Sequence, residues 1–206
     1  MIDFYVHFKK TDSFSTKTFE CFSKSLGFDI ALHPTFNIEV DTGFYPMCLT
    51  DDRFSGDDGN NKFMTGFEIY TNPYVHVTAT VSGKQEKTTF FEKLFRKKKP
   101  AKKAIESPLD TFLREADTEI YLRCSGSEIL ESFVAHIFGA YLISEYGATF
   151  DDPQAGNFYT SVDEIKAEIE SFLSEILELQ KNVDWSLIRS KAGINYFSKQ
   201  KSYRNE

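Results

Sequence analysis

Residues 129–146 read ILESFVAHIFGAYLISEY and contain the longest apolar stretch of the chain. The apolar side chains recur in adjacent pairs at helical spacing, namely Ile129, Leu130, Phe133, Val134, Ile137, Phe138, Tyr141 and Leu142. A stripe this wide is typical of a helix that several neighbours cover, so we predict the central core helix here. The small residues Ala135, Gly139 and Ala140 would let those neighbours approach closely.

Strand patterns flank this helix on both sides. Residues 119–124 alternate with period two, and residues 148–150 predict a short strand that ends in a turn at 151–153. Residues 125–128 begin with Ser and end with Glu, which is a capping box ahead of the helix. The side chains of the first strand that are predicted to point inward are Ile120, Leu122 and Cys124.

The N-terminal part begins with a strand pattern and continues with a helical one. Residues 2–8 alternate, residues 13–27 have helical spacing with Gly27 suited to the end, and residues 36–40 alternate again. The predicted polar face of the first strand carries Asp3, Tyr5 and His7.

Two further alternating runs, residues 63–70 and 74–81, are separated by Thr71-Asn72-Pro73. This spacing predicts an antiparallel hairpin with a tight turn. A short helix is predicted at residues 89–96, and a surface helix from Ser161, with a second capping box, to about residue 182.

These elements predict an α+β fold with a mixed, mainly antiparallel sheet of five or six strands and helices packed on one side. With 206 residues, one domain is expected, so residues 1–206 are interpreted as a single α+β domain. Within it we expect an exposed basic loop at residues 96–108 and a polar C-terminal tail from residue 198.

Composition excludes several classes of protein. The chain has 21 Phe, 10 Tyr and one Trp, which argues against intrinsic disorder. Its formal net charge of −7 is opposite to the balance expected for a general nucleic-acid binder. The sequence shows no secretory signal and no membrane-spanning stretch, so a cytoplasmic protein is expected. The three cysteines are expected to be free, buried thiols, and their spacing indicates neither disulfides nor a metal site.

Common catalytic and cofactor motifs are missing from the sequence: there is no G-x-S-x-G, H-E-x-x-H, P-loop or G-x-G-x-x-G. No cofactor is therefore expected. Asp151 and Asp152 follow a predicted strand, where paired carboxylates can be catalytic. Asp before Pro also initiates turns, and this interpretation is favoured here.

His7 and His76 are a second catalytic hypothesis, because both fall on the polar face of a predicted strand. If the two strands were neighbours, the imidazoles would meet, with Tyr5, Glu68 and Tyr74 nearby. Two histidines and a carboxylate could carry out general acid–base chemistry. Structural surface histidines are the favoured alternative.

Two charged segments are candidate interaction surfaces. The acidic loop within residues 50–62 could steer a basic partner, through Asp51, Asp52, Asp57 and Asp58. The basic run within residues 96–103 is interpreted as an exposed loop. Alternatives for it are binding to a phosphate-rich partner, to an anionic membrane surface, to an acidic protein or to an acidic patch on a second copy. Its cations are Arg96, Lys97, Lys98, Lys99, Lys102 and Lys103.

Residues 129–159 combine the long helix with the sequence GATFDDPQAGNFY at 147–159. This order of helix, short strand, Asp-Pro-Gln turn and Gly resembles the C-terminal part of small bacterial cytosolic immunity proteins of polymorphic toxin systems. The resemblance implies an acidic α+β binding protein without catalysis that uses acidic surface against a basic toxin domain.

The sequence therefore favours a non-catalytic binding or inhibitory protein. Its expected partner is another protein and not a nucleic acid. One alternative is an enzyme of unrecognised class that uses His7 and His76 with nearby carboxylates. A second alternative is an accessory domain that oligomerises.

Overall fold

A computed structural model of the protein describes residues 1–9, 14–33, 43–54, 61–76, 108–125 and 129–180. These residues form seven strands and four α-helices, with a 3₁₀ turn at Asp52–Phe54. In chain order they are β1 (Ile2–Phe8), α1 (Thr16–Ser25), β2 (Asp29–Leu32), β3 (Gly43–Thr50), β4 (Lys62–Pro73), α2 (Pro108–Glu115), β5 (Thr118–Cys124), α3 (Ile129–Tyr146), β6 (Thr149–Asp152), β7 (Asn157–Tyr159) and α4 (Val162–Gln180).

All seven strands belong to one sheet in the order β2-β3-β4-β5-β1-β6-β7. Every pair of neighbours is antiparallel, and β5 and β1, which are far apart in sequence, lie side by side near its centre. The predicted α+β class is confirmed, and the described sheet has one or two strands more than the sequence indicated.

Helix α3 lies against one face of the sheet and is covered on all sides. Every side chain from Leu130 to Ile143 is buried. The helix contacts β1, β4, β5 and β6 as well as the helices α1 and α4. The prediction of a central core helix is therefore confirmed.

Gly139 allows the closest approach between α3 and the sheet. A Cβ atom on Gly139 would lie 2.2 Å from a ring carbon of Phe150 on β6, so a larger side chain does not fit without displacing that ring. Phe150 stacks in turn on Phe4 of β1, with 5.3 Å between the ring centroids. The expected close contact at this small residue is thus observed.

Side chains cap the beginnings of two helices, α1 and α4, and the cap of α4 is one that the sequence predicts. Ser15 accepts a hydrogen bond from the Thr18 N–H at 3.4 Å at the start of α1. At the start of α4, the Ser161 N–H donates to Glu164 Oε2 at 3.2 Å and the Glu164 N–H donates to Ser161 Oγ at 3.4 Å. This reciprocal pair is the predicted capping box.

The predicted turn at Thr71-Asn72-Pro73 is wrong. Strand β4 continues through these residues, which pair with Ile120, Glu119 and Thr118 of β5. Pro73 is the last residue of β4, where its missing N–H interrupts no interior ladder. Residues 74–76 that follow are irregular, and residues 77–81 of the expected second strand lie outside the described residues.

Strand β3 was not predicted from the sequence. It contains Pro46, a residue that argues against a strand inside a sheet, and Pro46 pairs with Gly66 of β4. A Cβ atom on Gly66 would lie 2.0 Å from the carbonyl oxygen of Tyr45. Pro46, which lacks an N–H, therefore lies opposite Gly66, which lacks a side chain. The two backbones come close together at this pair.

Several predictions fall outside the described residues. They are the strand at 36–40, the helix at 89–96, the tail from 198 and most of the capping box at 125–128. The predicted basic loop at 96–108 also lies outside them except for Pro108, which begins helix α2 and is not part of a loop. Within the described residues, every helix is too short or too polar to span a bilayer.

The cysteines partly correct the expectation from sequence. All three are free thiols, but Cys21 is exposed on α1 and only Cys124 is fully buried. Burial raises the pKa of the Cys124 thiol to about 12, so this sulfur stays protonated and behaves as a small apolar side chain.

Gly139→Ala tests the contact between α3 and β6. We expect a loss of about 1–3 kcal/mol in the free energy of unfolding, because the added methyl group overpacks the core. Chemical denaturation of both proteins gives the difference.

Two controls accompany this variant. Ser171→Ala adds no atoms at an exposed position of α4 and should change stability little. Adding Phe150→Leu to Gly139→Ala should cost less than the two single changes together, because the clash involves that ring. Full additivity would contradict the proposed contact.

Candidate functional site

The outer face of the sheet, which points away from α3, carries a row of aromatic side chains. Neighbouring strands align five residues in register across β4, β5, β1, β6 and β7. They are Tyr70, Tyr121, Tyr5, Asp151 and Phe158. With about 4.8 Å between strands, the row is about 19 Å long. We call these five residues the aromatic row.

The three tyrosines of the aromatic row contact one another. Tyr121 lies in the middle, with its ring centroid 5.2 Å from that of Tyr5 and 5.8 Å from that of Tyr70. All three side chains are half-buried, so each leaves part of its ring accessible. Cross-strand aromatic pairs of this kind stabilise a sheet and keep the rings in fixed positions.

A charged row lies on one side of the aromatic row. It consists of Glu68 on β4, Arg123 on β5 and Asp3 on β1, which pair in register. Arg123 Nε donates to Tyr121 Oη at 2.9 Å and lies 3.3 Å from Asp3 Oδ1. The guanidinium also stacks over the Tyr121 ring at 5.0 Å. Arg123 therefore holds the central tyrosine in place.

Exposed Phe44 of β3 continues this charged row, since it pairs with Glu68. Tyr70 Oη donates to Glu68 Oε2 at 3.1 Å, which joins the charged row to the aromatic row.

His7 lies on the other side of the aromatic row, in a third row with Glu119. His7 Nε2 donates to Glu119 Oε2 at 3.1 Å. The Tyr74 ring packs on the imidazole with 4.5 Å between centroids, and Tyr74 Oη is 3.4 Å from His76 Nδ1. Tyr74 thus lies between His7 and His76, but the two histidines are not on neighbouring strands as the hypothesis supposed. His76 lies in the irregular residues after β4, and the carboxylate at His7 is Glu119 and not Glu68.

The remaining nitrogens of both histidines are enclosed. His7 Nδ1 and His76 Nε2 are buried atoms without a hydrogen-bond partner. Burial lowers the pKa of His7, and this outweighs the hydrogen bond and charge of Glu119, which raise it. His7 is therefore neutral at pH 7, with its proton on Nε2 and a lone pair on Nδ1 that solvent does not reach.

Asp151 and Asp152 point to opposite faces of the sheet, as adjacent strand residues must. Asp151 belongs to the outer aromatic row and is half-buried, whereas Asp152 is buried on the core side. Asp152 Oδ1 accepts hydrogen bonds from the N–H groups of Gln154 and Ala155, each at 3.1 Å. Asp152 thus has the turn role favoured from sequence, and the two carboxylates do not form a catalytic pair.

Asp151 has no hydrogen bond or ion pair within the described residues. Burial raises the pKa of this carboxyl group, and the neighbouring Asp152 raises it further, while His7 opposes the change. The folded chain therefore places a charge where it is poorly solvated.

His136 occupies the core side of the same region. It is fully buried on α3, and its Nδ1–H donates to the Ser132 carbonyl oxygen at 2.8 Å. Rings of Phe4 and Phe172 lie 4.9 and 4.8 Å away. This environment lowers the pKa of His136, mainly through burial, and agrees with a structural histidine.

The acidic loop is only partly described. Asp51 is nearly buried, and its Oδ1 accepts hydrogen bonds from Arg53 N and Nε, both at 2.9 Å. Asp52 is exposed, while Asp57 and Asp58 lie outside the described residues. Tyr70 lies eight positions along β4 from Lys62, so the end of this loop is about 26 Å along the strand from the aromatic row. A role for these aspartates in partner binding stays a prediction.

Sequence reasoning missed most of the aromatic row. The alternation in residues 119–124 does place Tyr121 and Arg123 on the polar face, and the same pattern places Tyr5 there. What was missing was the strand order, because nothing local shows that β5 lies between β4 and β1. The cations predicted at 96–103 lie outside the described residues.

Comparison with known proteins gives no relative for this chain: no family model, no curated protein and no solved structure matches it. Within the described residues, no group of three or more His, Cys, Asp or Glu side chains is arranged to hold a metal ion.

His7 should titrate below pH 6.5 in NMR-monitored experiments on its ring protons. Glu119→Gln should lower the pKa of His7 further, because the carboxylate favours the imidazolium through its hydrogen bond and charge. Asp3→Asn is the matched control, since it removes a carboxylate of the same face that does not touch His7. An unchanged or raised pKa in Glu119→Gln would contradict the described geometry.

The same lowered pKa values link stability to pH. His7 and His136 both bind protons more weakly in the folded state than in the unfolded state. Protonation of the unfolded chain below pH 6.5 therefore reduces stability. We expect the thermal midpoint to fall from pH 7 to pH 5, which calorimetry measures.

Proposed function

We propose that this protein is a non-catalytic binding protein that recognises a basic protein partner through the outer face of its sheet. The observation that carries the proposal is the aromatic row, in which Tyr70, Tyr121 and Tyr5 contact one another in register beside carboxylates. Tyr and Arg are the residue types that most often dominate binding energy at protein interfaces.

Pre-ordering of the rings supports this function. Arg123 fixes Tyr121 by a hydrogen bond and by stacking, and Glu68 accepts a hydrogen bond from Tyr70. Side chains that are already immobilised lose little conformational entropy when a partner binds. A row about 19 Å long also suits the centre of a standard interface.

Charge complementarity supports a basic partner. The three outer rows contain four carboxylates, and Arg123 is their one guanidinium among the described residues; the acids are Asp3, Glu68, Glu119 and Asp151. His7 adds no charge at pH 7 because its pKa is lowered. A surface of this sign attracts a basic partner and repels nucleic acid.

We propose an immunity-type role for this binding protein. The partner would be a basic toxin domain, which the chain would neutralise by covering its surface. The resemblance of residues 129–159 suggests this role. In the structure these residues form α3, β6 and β7, and they contribute Asp151 and Phe158 to the aromatic row.

Replacing Tyr5 and Tyr121 by Ser tests the proposal. Wild-type protein on a resin should retain a basic protein from a lysate of the source organism, and the double variant should not. With the purified partner, calorimetry should show an affinity at least about 30-fold weaker for the double variant, as expected when central aromatic contacts are lost.

Two controls make this result specific. Tyr5→Phe keeps the ring and should keep the affinity, and Leu179→Ser changes an exposed apolar residue of α4 far from the outer face. Retention of the same protein by the double variant, or capture of acidic proteins only, would contradict the proposal. A mass that rises with concentration in light scattering, and that the double variant abolishes, would instead favour the oligomerising accessory domain.

Acid–base catalysis is a second candidate, and one observation favours it. Glu119 holds His7 Nε2, which leaves a lone pair on Nδ1 with His76 nearby. A general base needs such a lone pair. The enclosure of Nδ1 opposes this function, because a substrate must reach that atom.

Diethyl pyrocarbonate, which acylates accessible neutral imidazole, distinguishes these possibilities. We expect His7 to react more slowly than a free histidine, as measured by mass spectrometry on the tryptic peptide of residues 1–9. Tyr74→Ala should accelerate the labelling by removing the ring that packs on His7. Rapid labelling of the wild-type chain would favour the catalytic candidate.

A further inference from the structure

Asp151 differs from the other carboxylates around the aromatic row. Asp3 contacts Arg123, Glu68 accepts a hydrogen bond from Tyr70, and Glu119 accepts one from His7. The side chain of Asp151 has no such partner within the described residues, although it is half-buried. Partial burial without such a partner disfavours the charged form of this carboxylate.

Aromatic rings stand on both sides of Asp151. In register, Tyr5 of β1 is its neighbour on one side and Phe158 of β7 on the other. Directly opposed side chains on one face have their Cβ atoms about 4.5–5.5 Å apart, so both rings are within reach of a group bound at the carboxylate. A carboxylate between two rings is suited to an organic cation, which gains an ion pair and cation–π contacts together.

We propose that Asp151, with Tyr5 and Phe158 on either side, binds an arginine side chain of the partner. This inference rests on the proposed function, since it names the chemical group that the outer face recognises. A guanidinium group fits better than an ammonium group because it is planar, stacks on rings and can donate two parallel hydrogen bonds to one carboxylate.

The surrounding charges favour a cation at this point. His7 and Asp3 are the outer-face neighbours on β1, and His7 is neutral while Asp3 is acidic and bound to Arg123. Asp152 on the same strand is a further carboxylate, which points to the core. The described side chains around Asp151 thus supply negative charge and no cation at hydrogen-bond distance.

The test is an NMR titration of the ¹⁵N-labelled full chain with a blocked Gly-Arg-Gly peptide and with its Lys counterpart. The Arg peptide should shift the signals of Tyr5, Asp151 and Phe158 in a saturable way, and the Lys peptide should bind more weakly. Asp151→Asn should weaken the affinity for the Arg peptide by about tenfold or more, as expected when a charge-assisted pair is lost. Shifts that are scattered over the chain, or equal binding to Asp151→Asn, would overturn the inference.

Folding of the variant is checked in the same samples. Asp151→Asn removes a charge that the folded state solvates poorly, so its thermal midpoint at pH 7 should not lie below that of the wild type. If the variant did unfold, ¹³C titration of the wild-type Asp151 carboxyl gives the second readout: the Arg peptide should lower its pKa, and an unchanged pKa would overturn the inference.

The two proposals fail in different ways. If the captured partner binds equally well to Tyr5→Ser/Tyr121→Ser but the Arg peptide still binds at Asp151, the proposed function fails and the arginine site stands. If partner binding depends on the tyrosines but not on Asp151, the function stands and the arginine site fails.

Discussion

The contact between Gly139 of α3 and the Phe150 ring of β6 determines how the helix lies on the sheet. Without a side chain at Gly139, the helix backbone comes close enough for Phe150 to pack between it and Phe4. His136, one turn earlier on α3, contacts the same two rings. One helix, α3, therefore covers the core face of both β1 and β6.

This core contact also determines which side chains lie on the outer face. Side chains alternate along a strand, so burying Phe4 and Phe150 forces Tyr5 and Asp151 outward, and a slip of one residue would exchange them. Asp151 and Asp152 show the consequence for two identical side chains. Asp152 points inward and organises the turn before β7, whereas Asp151 points outward and has no hydrogen-bond partner among the described residues. A carboxylate whose charge is disfavoured by partial burial is suited to accept a cation from a partner, as we propose.

The sequence predicted the elements whose periodicity is complete: β1, β5, α1, α3 and α4 all follow their apolar patterns and capping residues. It failed where tertiary pairing overrides local preference. Thr71-Asn72-Pro73 has the composition of a turn, yet pairing with β5 keeps it extended. The candidate site was predictable only in part, because alternation marks Tyr5, His7 and Tyr121 as outward but says nothing about which strands are neighbours. Residues 7 and 119 are joined across β1 and β5, which no local signal connects.

The protonation state of His7 affects the net charge of the outer face. Its imidazole is buried against Tyr74, and this burial lowers the pKa of His7 despite the hydrogen bond to Glu119. A protonated His7 would cancel the charge of Glu119 and leave the outer rows closer to neutral. Because the ring stays neutral at pH 7, the carboxylates around the tyrosines keep their net negative charge. An aromatic surface with that charge matches a basic protein surface rather than an apolar one, since a purely apolar partner would bury these carboxylates without compensation.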